Sequence, residues 1–415
     1  MSLRRLLASA LCLMWVIPCR AQEPLDLAVW LAKSDLWQTT QKTLPSNGFR
    51  WLSDEKRSAR ISPEAEVTLA SFSVGEVVVR FTHETLTSIS LDLYARGDNA
   101  AVDRAEFMKL VGQASAWLTK HTGQPSRELQ ATADITKAHH QVWETKQCAY
   151  QLSHSFQRER KSREQPFVSE FIRIGVTNSK RFSPAQCTPS WLKEQVQRGP
   201  LGDVWIAGVP MIDQGDKGYC VVASAERVLR HYGMDVTQHE LAQLAASHRE
   251  HGTSIGAMTD ALRGASRVLK VRVRELYSLF GSRSLKQLVD RYNRLARREK
   301  EPLLSYDADF FTKAKPALIL SSRIKQAAFA RFATDIQQAI QQGTPLLWSV
   351  QLGVFPEKES PQAKGGHMRL IIGYHQKNKE VLFTDSWGLG HEKKRLPLDQ
   401  AFAMTLALSV LEPRE

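Results

Sequence analysis

Long apolar runs are scarce in this sequence. Beyond residue 17 no stretch approaches the ~20 consecutive apolar residues that a membrane-spanning helix needs, so no helical span is expected. Cysteine is equally sparse: there are five in 415 residues, and two of them, Cys12 and Cys19, fall within the first twenty. Histidine is more frequent, but His139-His140 and the set His239, His248 and His251 match no standard zinc spacing and have no cysteine nearby. They read as surface histidines, and no metal or other cofactor is expected. Internal repeats and low-complexity tracts are absent. The basic residues are dispersed without an aromatic-interleaved motif, so nucleic acid is not an expected partner.

What is present begins with Met1-Ser2-Leu3-Arg4-Arg5, an apolar run from Leu6 to Ile17, and Pro18-Cys19-Arg20-Ala21. This is the layout of a secretory signal peptide over residues 1–21, and it predicts a secreted or periplasmic mature chain. Removal of the signal leaves Cys148, Cys187 and Cys220. An odd count in an exported protein points to one unpaired thiol. A Cys148–Cys187 bridge would close a loop worth ~3–4 kcal/mol and leave Cys220 free; the alternative is that both are reduced and buried. The net charge of +13 favours solubility and contact with an anionic envelope surface.

A chain this long exceeds the size at which one hydrophobic core stops growing, and its 42% hydrophobic content can fill two. Residues 22–190 read as an N-terminal α+β domain. Val67, Leu69, Val77, Val79, Phe81, Ile89, Leu91 and Leu93 alternate as in half-buried antiparallel strands, and Phe107, Leu110, Val111, Ala114, Trp117 and Leu118 form one helical face behind Asp103 and before Gly123. Two further strands are expected over 148–156 and 167–176. Residues 191–203 are polar and breaker-rich, a predicted linker. In residues 204–415 helices come first, from Cys220 to Tyr232, then behind Thr237 and Ser284; the sheet comes last, over 346–352, 367–374 and 380–387.

The second half carries the chemistry. Cys220 opens a helix, where free backbone N–H groups and the helix dipole favour a thiolate. Gln214, six positions upstream, offers an amide donor for an oxyanion, and Gly215 and Gly218 keep the turn close and the space above the sulfur open. His367 begins a strand behind Gly365-Gly366, and Asp385-Ser386-Trp387-Gly388 ends the next one, so a hairpin would bring Asp385 to the imidazole and let Trp387 cover the pair. Taken singly, a buried structural thiol, a core histidine, a turn-capping aspartate and a core tryptophan are equally good readings.

Together, Gln214-Gly215-Asp216-Lys217-Gly218-Tyr219-Cys220, His367 with Gly373-Tyr374, and Asp385-Ser386-Trp387-Gly388 resemble the papain-like cysteine peptidases. Asp rather than Asn at the third position looks more like the branch that removes double-glycine leader peptides. The resemblance spans about residues 204–415. It implies a papain-like domain, a Cys220-His367-Asp385 triad with Gln214 at the oxyanion, Gly218, Gly366 and Trp387 at the substrate, and a peptide or protein substrate cleaved through a thioester. It departs at Val221, where papain has Trp, and offers no counterpart for residues 267–332, where substrate selection is expected. The rivals are an amide transferase or transglutaminase-like crosslinker and a non-catalytic binding module.

Overall fold

The computed structural model describes residues 25–45, 48–61, 67–129, 135–158, 167–179, 188–248, 251–307, 309–357 and 363–414. The expected signal segment and Cys187 lie outside them. The chain is α+β throughout.

The first unit is an eight-stranded antiparallel sheet. Its order is Arg50–Trp51, Ser58–Ile61, Glu76–Thr82, Thr85–Ala95, Phe167–Asn178, Cys148–Arg158, His139–Glu144, Arg127–Leu129. Alternation assigns Val77, Val79, Ile89, Leu91, Leu152, Ile172 and Ile174 to one face. The helix Arg104–Thr122 packs there through Phe107, Val111, Ala114 and Leu118, all buried. Asp103 caps it by accepting from the Glu106 amide, and Gly123 ends it in a left-handed conformation with φ of 66°. Cys148 sits buried in this core, and Cys187, its expected partner, lies outside the described residues.

The predicted linker carries regular structure. Pro189–Glu194 is a helix capped by Thr188, and Val196–Arg198 pairs antiparallel with Asp203–Ile206, joining the second sheet. These short polar segments are ordered because their backbone groups find partners in that sheet, which composition does not reveal.

The second sheet runs Val196–Arg198, Asp203–Ile206, Gly365–His375, Leu346–Leu352, Thr405–Pro413, Val271–Ser278; Glu380–Thr384 adds to the other side of Gly365–His375. Helices first and sheet last therefore holds only in outline, because Val271–Ser278 lies between helices and pairs with the last strand. Alternate residues feed two cores. Leu347, Met368, Leu370 and Ile372 meet the Cys220–His231 helix, while Trp348, Val350, Ile371 and Phe383 meet the helices Ser282–Arg298 and Ala327–Gln341. The basic helix begins at Ser282 rather than behind Ser284, and it buries Leu288, Val289, Tyr292 and Ala296. Thr237 and Glu240 form a reciprocal capping box on Gln238–Leu244.

The units meet through polar groups. Arg60 pairs with Asp213 at 2.9 Å, Lys217 with Asp98 at 2.5 Å, and Arg96 donates to the Ser247 carbonyl at 2.8 Å. His239, expected on the surface, is buried in this interface, its Nε2 3.4 Å from Asp92 and 3.9 Å from Glu76. Docking of the first sheet covers it, an event invisible to local sequence. His139, His248 and His251 are exposed, as expected.

Candidate functional site

The helix Cys220–His231 starts at Cys220 with Tyr219 as its N-cap residue and no side-chain cap, so its first amides stay available. Upstream, Gly215 turns the chain with φ of 67°, a left-handed conformation that favours glycine. The Ser224 hydroxyl donates to the Met368 carbonyl at 3.4 Å, seating the helix start against the strand that carries His367. Cys220 is half-buried, and Gly366 beside His367 is exposed.

The partner side chains are placed by strand register. Leu370 lies opposite Thr384 and Ile371 opposite Phe383. Continuing that register sets Arg369 against Asp385 and His367 against Trp387, with His367 and Asp385 on the diagonal. The contacts follow. His367 Nε2 lies 3.0 Å from Asp385 Oδ1, Arg369 Nε donates to the same oxygen at 2.7 Å, and Trp387 stacks on His367 with centroids 4.4 Å apart and planes 21° apart. With Nε2 given to Asp385, Nδ1 is the ring nitrogen left for the thiol.

The electrostatics fit a thiolate beside an imidazolium. Burial pushes the Cys220 thiol up, but the hydrogen bond and charge of His367 outweigh it and hold the thiol below its ordinary value. Burial likewise pushes His367 down, and the bonds to Asp385 and Cys220 reverse that, raising it. Asp385 is fully buried yet held well below the usual carboxylate range, chiefly by Arg369 and His367 against the opposing effect of burial.

Four residues of this site escaped sequence reasoning. Arg369, wholly buried, bridges Asp385 and Glu357, donating to both Glu357 oxygens at 2.8 Å. Lys394 Nζ lies 3.2 Å from Asp385 Oδ2. Arg227, seven positions into the helix from Cys220, donates to the Asp385 carbonyl and the Thr384 hydroxyl at 2.7 Å and to the Pro210 carbonyl at 2.8 Å. The sequence signal for Arg369 was its alternation with His367, which puts both on the face that the next strand opposes with Asp385 and Trp387. No comparable signal marked Glu357, Lys394 or Arg227.

Gln214 is buried and tied to the Asp385 loop. Its amide N–H donates to the Ser386 carbonyl at 3.0 Å, its side-chain oxygen accepts from Ser386 Oγ at 2.8 Å, and its Nε2 donates to the Lys217 carbonyl at 3.2 Å, leaving one side-chain hydrogen free. Gly218 is half-buried against Gly252, whose β-carbon would lie 2.7 Å from the Gly218 carbonyl. Gly366 pairs with Gln351, and a side chain there would meet open space. Cys148 belongs to the other domain's core.

Among the described residues one group has metal-ligand geometry, Glu76, Asp92 and His239. Its carboxylates are already neutralised by Arg60, which pairs with Glu76, and Arg173, 2.5 Å from Asp92. A further dication there would face both guanidiniums, so the donor set does not fit a metal.

Compared with known families, the chain matches the Peptidase_C39 like family over residues 310–406. The matched stretch contains His367, Arg369, Asp385 and Trp387 but not Cys220, and it supports the papain-like cysteine peptidase superfamily. No curated protein matches the chain. No helix among the described residues is long and apolar enough to cross a membrane.

Proposed function

We propose that this protein is an exported cysteine peptidase of the papain-like type, nearest in its third site residue to the leader-peptide-removing branch. The observation that carries the reading is the meeting of Cys220, His367 and Asp385, far apart in sequence, with the thiol's proton affinity lowered and the imidazole's raised. In this reading the Cys220 thiolate attacks the substrate carbonyl carbon, and the oxyanion is held by the free Gln214 N–H and the Cys220 amide. The C–N bond then breaks as His367 gives its proton to the leaving amine, leaving a thioester. Water adds to the thioester with His367 as base, which releases the acid and restores the thiol. Asp385 orients the ring and stabilises its charged form, and Trp387 shields it from water. Arg369, Lys394 and Arg227 contact Asp385 rather than the reacting atoms and are positioning residues.

The test is digestion of a broad peptide library by wild type and by Cys220→Ala, with iodoacetamide labelling in parallel. Wild type is expected to cleave and to label at Cys220, and the variant to do neither. Cleavage by Cys220→Ala overturns the scheme. Efficient labelling of Cys220 without cleavage would favour a transferase, checked by supplying amine acceptors. Absence of both favours the non-catalytic module, a reading to which the sharing of Asp385 between two buried cations lends some support.

A further inference from the structure

The first sheet has a second face. Opposite the core side chains, alternation projects Arg80, Ser88, Ser90, Ser153, Arg173 and Gly175, and these form the floor of a cleft of about 650 Å³. Its roof comes from the second domain, from Arg230 near the end of the Cys220–His231 helix and from Asp235, Thr237 and Glu240. The volume suits a small organic ligand, and the lining combines apolar surface with serine hydroxyls and charged groups, as ligand sites do.

The charges in this cleft are accounted for except one. Arg173 pairs with Asp92, Arg127 with Glu144 at 3.2 Å, and Arg230 with Glu226 at 2.6 Å and Asp235 at 2.8 Å. Glu240 is engaged by the Thr237 capping box. The Arg80 guanidinium has no hydrogen bond or ion pair among the described residues, although burial and the nearby Arg230 depress it to about 10. Arg80 is half-buried, so its guanidinium reaches the cleft and is open to an anion that can take its paired donors. It also borders a second interdomain cavity of about 660 Å³, so it stands where the two units separate.

We propose that this cleft is a binding site for a small carboxylate-bearing ligand, whose carboxylate takes the paired donors of Arg80 while the serine floor binds its polar groups. Arginine meets a carboxylate with two parallel bonds, and a single uncompensated cation calls for a single negative charge. Asp235 and Glu240 on the roof disfavour a phosphate dianion. The ligand would touch both domains and so hold them together. The site lies at the opposite end of the helix from Cys220, about 15 Å away at 1.5 Å per residue, and it is independent of whether Cys220 is a nucleophile.

The test uses the full mature chain, with thermal unfolding and calorimetric titration against four probes: trialanine with a free C-terminus, the same peptide amidated, butyrate, and inorganic phosphate. The free-acid peptide or butyrate is expected to bind and raise the unfolding midpoint, with the stronger of the two identifying a peptide terminus or a free acid as the source. The amidated peptide and phosphate are expected not to bind. Arg80→Met should weaken the carboxylate by about thirtyfold or more while the unliganded midpoint stays close to wild type, since the guanidinium makes no bond among the described residues. Arg80→Lys should retain some of the affinity, and Cys220 alkylation should be unchanged in both. Absence of binding by either carboxylate, equal binding of the amidated peptide or phosphate, or wild-type affinity in Arg80→Met would overturn the proposal.

Discussion

Replacing Arg369 with methionine tests how the candidate site is assembled. The wild-type guanidinium makes three charged hydrogen bonds, at 2.7 Å to Asp385 and 2.8 Å to each Glu357 oxygen, and lies over the Phe383 ring at 4.5 Å. Methionine fills much of the same volume but leaves Glu357 buried without its cation. Breaking a buried pair from one side is destabilising by about 3–5 kcal/mol, whereas removing both charges is far milder. The double variant Arg369→Met, Glu357→Gln should therefore recover much of the loss, even though it departs further from wild type. Asp385 keeps Lys394 at 3.2 Å and His367 at 3.0 Å, and with Arg369 gone its full charge acts on the imidazole. The pKa of His367, already raised, should rise further and carry the alkaline limb of Cys220 alkylation to higher pH. Urea unfolding measures the first effect and the pH profile of iodoacetamide labelling the second. A single variant as stable as wild type, a double variant no better than the single, or an alkaline limb that moves down would refute the reasoning.

Two further outcomes follow from packing and interface charge. Burial and the Lys217 ammonium push His239 down, but the Asp92 and Glu76 carboxylates outweigh both and raise it. A raised folded-state pKa stabilises the protonated form, so the advantage of wild type over His239→Gln should be fully present below about pH 6.5 and fade as pH rises through the folded value; thermal unfolding across that range checks it, and an advantage that grows with pH would contradict it. A β-carbon at Gly373 would lie 2.5 Å from the Val204 carbonyl and 2.8 Å from the Trp205 side chain, so Gly373→Ala must push a pair of bonded strands apart. A loss of about 2 kcal/mol or more in urea unfolding is expected, and an unchanged midpoint would show that the strands can separate without penalty.

Local signals named the elements around the site well. The helix at Cys220, the capping box at Thr237 and the strand behind Gly365-Gly366 were legible because each depends on periodicity or on neighbours within a few residues. The spans 189–198 and Val271–Ser278 were not, since their order comes from strands distant in sequence. His239 was misjudged for a related reason: its burial is produced by another domain. Arg369 sat between, readable from alternation once its strand's partner was known.

By itself the chain determined which residues could bear chemistry, a thiol at a helix start, an imidazole at a strand start and a carboxylate after the following strand, because those features are written in nearest-neighbour patterns. Only the tertiary structure decided that Asp385 is shared by Arg369, Lys394 and His367, that Glu357 balances the arrangement, and that Arg80 is left without a partner between two domains. Charge compensation in a buried site depends on distances between segments far apart in sequence, and those distances are set by how the two sheets and their helices pack.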